Sequence, residues 1–110
     1  MRKYSLDSMK KGWFVGNFNR AVHKTEAFEV AVKVEKAGEH VDRHLHNIAA
    51  EITVVVKGRI CVNGKEFRGG DIIVISPKED ADYKVLEDAI TVIVKIPSVR
   101  NDKIYVKGKL

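Results

Sequence analysis

Apolar and polar residues alternate along this chain with a period of two, not the 3.6 of a helix. Between Phe28 and Glu35, the side chains of Phe28, Val30, Val32 and Val34 fall on one side and those of Glu29, Ala31, Lys33 and Glu35 on the other. Such alternation predicts a half-buried strand with its apolar side toward a core. Glu51 to Lys57 is rich in β-branched residues and apolar on both sides, which predicts a strand covered on both faces. Arg59 to Val62 and Lys65 to Phe67 flank Asn63-Gly64, and this pair predicts a hairpin because both residues tolerate the positive φ of a type I′ turn. A turn at Gly69-Gly70-Asp71 leads into a strand from Ile72 to Ile75, stopped by Ser76-Pro77. Tyr83 to Leu86 and Ala89 to Ile96 read as a last hairpin turning at Glu87-Asp88. Helical signals are confined to one short turn within Ser5 to Lys11. Many short strands with close turns and no repeat predict a single all-β sandwich or barrel.

Length agrees with one domain: 110 residues leave no room for a second core. The apolar share of 45% can offset the entropy of ordering, which excludes a disordered chain. No apolar run approaches the ~20 residues of a membrane helix, and the N-terminus carries no apolar signal core, so the sequence reads as cytoplasmic with no membrane partner. A lone cysteine, Cys61, excludes an internal disulfide and reads as a small buried side chain. The net charge of +5 favours anionic partners, but the basic residues are scattered without interleaved aromatics, so no nucleic-acid partner is expected.

The chemistry gathers at His44-Leu45-His46. On a strand, residues i and i+2 project from one face, so both imidazoles would stand together. Glu51 follows five residues later at the head of the next strand and can turn back across Asn47 to Ala50. Two histidines and one carboxylate can form a facial triad with open positions for water or substrate. His23 and His40 are expected on the surface, although His40 and Asp42 share the parity of His44 and His46. Arg43, Arg59 and Tyr83 are candidates for a pocket mouth, and Trp13-Phe14 for an added strand or a subunit contact.

Gly38, His44, His46, Glu51 and Gly58 follow the spacing G-x5-H-x-H-x4-E-x6-G, which resembles the first motif of the cupin superfamily at all five fixed positions. Gly70-Asp71, four apolar residues and Ser76-Pro77 resemble the opening of its second motif. The resemblance spans Phe28 to Ile96 and leaves residues 1–27 as an N-terminal extension of one domain, 1–110. It implies a jelly-roll β-barrel. It also implies a divalent metal (Fe, Mn, Ni or Zn) inside the barrel on His44, His46 and Glu51, with a small polar ligand beside it.

The family's fourth ligand, a histidine of the second motif, has no counterpart, since no histidine follows His46. One alignment puts Ala81 at that position, and a shift of one residue puts Asp82 there as a replacement carboxylate. The implied function is a metal-dependent enzyme of small-molecule or sugar metabolism. The alternatives are a non-catalytic binding or sensing module, and a metal-free sugar-nucleotide isomerase that uses the histidines as acid and base. Small cupins commonly pair, and apolar residues on both faces of several strands lead to the expectation of a homodimer.

Overall fold

The computed structural model describes residues 1–106 and is almost entirely strand. Two single 3-10 turns, Leu6–Ser8 and Lys10–Gly12, precede β1 (Trp13–Gly16) and the short β2 (His23–Lys24). The barrel strands follow as β3 (Glu29–Glu35), β4 (His40–His46), β5 (Ala50–Val62), β6 (Lys65–Arg68), β7 (Ile72–Ile75) and β8 (Ala81–Ile96). A final strand, β9 (Lys103–Tyr105), lies against β4.

Two long antiparallel strands, β5 and β8, are the spine. Ala50 to Lys57 pairs with Ile90 to Ile96, and this stretch is flanked by β7 on one side and by β3 then β1 on the other. Arg59 to Val62 pairs with Tyr83 to Glu87, and this stretch is flanked by β6 and β4. The same two strands therefore serve two opposed sheets, forming an all-β jelly roll.

The passage between sheets occurs at Gly58. Pairing of β5 with β8 shifts register three times between Val55 and Ile60. Gly58 has φ of 88°, and a Cβ there would run into the carbonyl oxygen of Asp88. Bulges of this kind bend a strand without ending it. Glu87-Asp88 is accordingly not the predicted turn: β8 runs unbroken through it, bent alongside Gly58. The Asn63-Gly64 hairpin stands as expected, with φ of 51° and 77°.

The core fills the barrel between the sheets with Val55, Ile60, Val62, Ala81, Val85 and Ala89. On β3 the expected polarity is reversed. Ala31 is fully buried, Lys33 and Glu35 are half-buried, and Val34 is 72% exposed. The alternation was legible, but its polar side faces inward. β5 is likewise uncovered on its outer side, where Val56 is exposed. Cys61 is half-buried. No helix among the described residues is long and apolar enough to cross a membrane.

Candidate metal and ligand site

An unbroken β4 delivers both histidines to one cavity. His44 and His46 are neighbours edge to face, with ring centroids 5.4 Å apart at 90°. His40 and Asp42, at the other end of the strand, are exposed and face each other at 3.6 Å; His23 is exposed as well. His44 Nδ1 donates to the carbonyl oxygen of Asp42 at 2.8 Å, which leaves the Nε2 lone pair free. His46 is buried, and its Nδ1 lies 3.5 Å from Glu51 Oε2. Burial, then the charges of Lys95 and His44, hold His46 down to a pKa of about 4, so its ring is neutral at pH 7.

The loop between His46 and Glu51 is held from a distance by Asp102, itself buried. Its carboxylate accepts from the Ile48 N–H at 2.9 and 3.1 Å and from the Ala49 N–H at 2.9 Å. Asp102 lies 54 and 53 residues from Ile48 and Ala49, so nothing local in the sequence marks it.

Chemically the donors suit a divalent ion. His46 Nε2 is buried with no hydrogen-bond partner, and leaving such an atom unsatisfied costs about 1–3 kcal/mol. An ion would satisfy it, and His44 Nε2 and the Glu51 carboxylate stand on the same cavity wall. The donors are not drawn together in advance, however: among the described residues no group of three or more His, Cys, Asp or Glu converges to hold an ion.

The two candidate positions of the missing fourth ligand are now separated. Ala81 is buried and pairs in register with His44 across β4 and β8. Asp82 is half-buried and occupied elsewhere. Its Oδ2 accepts from Arg43 Nη2 at 2.9 Å and its Oδ1 from the Asn63 N–H at 2.9 Å. Those bonds would have to break before Asp82 could reach an ion. Arg43 is thus paired with Asp82, and Arg59 pairs with Glu66 and Glu87; neither lines the cavity, whereas Tyr83 does.

The cavity measures about 930 Å3. Beside Tyr83 and Trp13 it is lined by Glu35, Lys33 and Lys95, which the sequence reading did not single out. Tyr83 donates to Glu35 Oε1 at 2.6 Å, and burial followed by this pairing pushes the phenol well above its ordinary pKa, so it stays protonated. Lys33 Nζ and Lys95 Nζ lie 5.1 and 4.8 Å from the centre of the Trp13 ring. Burial pulls Lys33 below the usual lysine range. Lys95 is also 3.7 Å from Glu29 Oε1. Trp13 therefore belongs to the cavity as well as to the added strand β1. The signal for Lys33 and Glu35 was their shared polar parity on β3, read as the solvent side.

No protein-family model matches the sequence, and no curated protein matches it. Solved structures do. A conserved protein with a double-stranded β-helix domain from Klebsiella pneumoniae is 19% identical, with a TM-score of 0.70, covering 97% of this chain and 93% of that one. The DMSP lyase DddQ from Ruegeria pomeroyi is 13% identical, also with a TM-score of 0.70; the match covers 97% of this chain but 58% of the lyase. A cupin protein from Bacteroides fragilis is 20% identical, with a TM-score of 0.55 and coverage of 76% and 73%. The fold is the double-stranded β-helix of the cupins.

Proposed function

We propose that the protein binds one divalent metal ion through His44, His46 and Glu51, and a small anionic molecule beside it, in the service of small-molecule metabolism. The observation that carries this reading is the buried, unpartnered Nε2 of His46, next to His44 and Glu51 on the wall of a cavity large enough for a metabolite. Asp82 is left out of the ligand set because Arg43 and Asn63 already engage it. The lining is mixed in charge, with Glu35, Glu39 and Glu79 beside Lys33, Lys95 and Lys103, and an anionic group of the ligand is assigned to the lysine side, where Lys33 and Lys95 stand over Trp13. One of the solved structures with this fold is a DMSP lyase, which supports a role in small-molecule metabolism.

The bound ion would polarise a ligand oxygen. The chain itself supplies the rest. Lys95 and Lys33 attract the anion over Trp13. Tyr83 keeps a proton at the cavity wall, and Glu35 holds that phenol in place. A metal-free reading would use His44 or His46 as the proton shuttle. A ring held near pKa 4 is a poor match to neutral pH, so His46 is disfavoured for that role and His44 is left to carry it.

The test is metal content of protein purified without chelator or affinity tag, followed by calorimetric titration of Mn, Fe, Ni and Zn into stripped protein. One ion per chain is expected, lost in the His44→Ala/His46→Ala double variant with the β-sheet spectrum unchanged. Stoichiometric metal in that variant would rule the site out. Turnover of a small carboxylate by the loaded protein would make it an enzyme; saturable binding without turnover would make it a binding module.

A further inference from the structure

Lys33 stands half-buried in the cavity wall with no acid to neutralise it. Its Nζ donates to the carbonyl oxygen of Lys11 at 2.6 Å, and among the described residues no carboxylate forms an ion pair with it. Lys95, by contrast, has Glu29 at 3.7 Å. The acid two residues along β3, Glu35, accepts instead from the Tyr83 hydroxyl at 2.6 Å. Across the ladder Lys33 meets Thr91, which is fully buried and uncharged. The carbonyl that holds the amine is itself fixed. Lys11 and Gly12 have φ of 52° and 82°, and a Cβ on Gly12 would run into the carbonyl oxygen of Val32, so the turn Lys10–Gly12 sits directly against β3. The charged groups around Lys33 are Lys11 on that turn, Glu35 on its own strand, Lys95 on β8 and Lys103 on β9. Three of the four are cations. An ammonium fits such a place poorly, because it has three donors, one protein acceptor and only partial access to water. Burial, against the pull of Glu35 and with the push of Lys95, Lys11 and Lys103, holds Lys33 below the usual lysine range. More of it is therefore free amine at a given pH than of an exposed lysine.

We propose that Lys33 is a nucleophile and that the cavity takes a small aldehydo or keto acid, whose carbonyl carbon Lys33 attacks while Lys95 holds its carboxylate beside Trp13. Lys33 and Lys95 lie 5.1 and 4.8 Å from the centre of the same indole ring, which sets them within reach of the two ends of one small molecule. This rests on the reading of the cavity as a ligand site, and it needs no ion. Protonated, Lys33 shares with Lys95 in drawing the anion in; deprotonated, it reacts. The lone pair of the free amine forms a C–N bond as the carbonyl π pair moves to oxygen, and one proton passes from nitrogen to that oxygen. The hydroxyl then leaves as water with the second nitrogen proton while the nitrogen lone pair forms the C=N bond. Amine and carbonyl become imine and water, and nothing is oxidised or reduced.

The probe is glyoxylate, a small aldehydo acid, with cyanoborohydride present to reduce the imine to a stable secondary amine. The full chain is stripped of metal with chelator and labelled at about pH 7.5, and the labelled lysines are read by digestion and mass spectrometry. Lys33 should take the label at least ~10-fold faster than the exposed Lys57 and Lys84, the gain that a pKa lowered by about one unit gives in free amine. Its rate should level off at a lower pH than theirs. Propionaldehyde, which has no carboxylate, should lose most of this preference, and so should glyoxylate in Lys95→Met. Lys33→Arg should leave no fast site. Label at Lys33 no faster than at Lys57 would overturn the proposal, as would a fast site at Lys95 instead or a pH profile like that of the exposed lysines. Equal preference for the two aldehydes would overturn the acid as the ligand class. Because the labelled protein is metal-free, a chain that binds no ion can still pass this test, and a chain that binds one can still fail it.

Discussion

Ala81 stands directly opposite His44 across the antiparallel ladder of β4 and β8. A cross-strand pair of this kind places two side chains about 5 Å apart on one face. In the proposed site, the position opposite His44 from which a fourth ligand could reach the ion would then be occupied by the methyl group of Ala81. The room this leaves lies beside Tyr83, two residues on and on the same face.

Ala81→His should supply that fourth ligand and tighten divalent metal binding by at least about tenfold. Asp82→His should not, because residue 82 has the opposite parity and the change would also break its bond to Arg43. Calorimetric titration of Zn into wild type and both variants decides it. Equal affinity in the Ala81 variant would show that this strand does not reach the ion.

The low pKa of His46 makes stability depend on pH. An unfolded histidine titrates near 6.5, whereas folded His46 titrates at about 4. Between these values the unfolded chain holds a proton that the folded chain refuses, so stability falls as pH falls from 6.5 toward 4. The loss from this residue is on the order of 3 kcal/mol at most, complete below pH 4 and absent above 6.5. Urea denaturation of metal-free protein at pH 7.5 and 4.5 should show a larger drop for wild type than for His46→Gln; the difference isolates His46 from the carboxylates that titrate in the same range.

Asp102→Ala should destabilise the protein by about 2 kcal/mol, since buried hydrogen bonds to a charged acceptor are lost and the Ile48 and Ala49 N–H groups are left without it. The loop from His46 to Glu51 should loosen with it and metal affinity fall by about tenfold. Asp102→Asn keeps one acceptor oxygen and should recover part of both, as read by urea midpoint and metal titration.

Lys95→Met keeps much of the stem over Trp13 but removes the charge. Binding of a small dicarboxylate to the metal-loaded protein should weaken at least about tenfold, and the salt dependence of binding should shrink. Undiminished binding would remove Lys95 from the ligand's path.

Local chemistry was readable from the chain alone. Asn63-Gly64 had to be a turn, because few other pairs accept two positive φ values. His44 and His46 had to share a face wherever their strand lay. Glu51 had to lie at the head of the next strand, which begins one residue earlier at Ala50. These are short-range facts, settled within a few residues by backbone sterics and a period of two.

Whatever joins distant segments was decided by the tertiary structure. The alternation on β3 has the same form whichever side faces inward. Only its pairing with β8, which places Lys33 opposite the fully buried Thr91, turns Lys33 and Glu35 toward the cavity and Val34 outward. Glu87-Asp88 is a turn by composition, yet the bend of β5 at Gly58 lets β8 pass through it as one strand. Tyr83 meets Glu35 across 48 residues, and Asp102 reaches Ala49 across 53. Sequence periodicity describes a strand's two faces but carries no sign for inside and outside. That sign belongs to the sheet, because burial is a property of what the neighbouring strands cover.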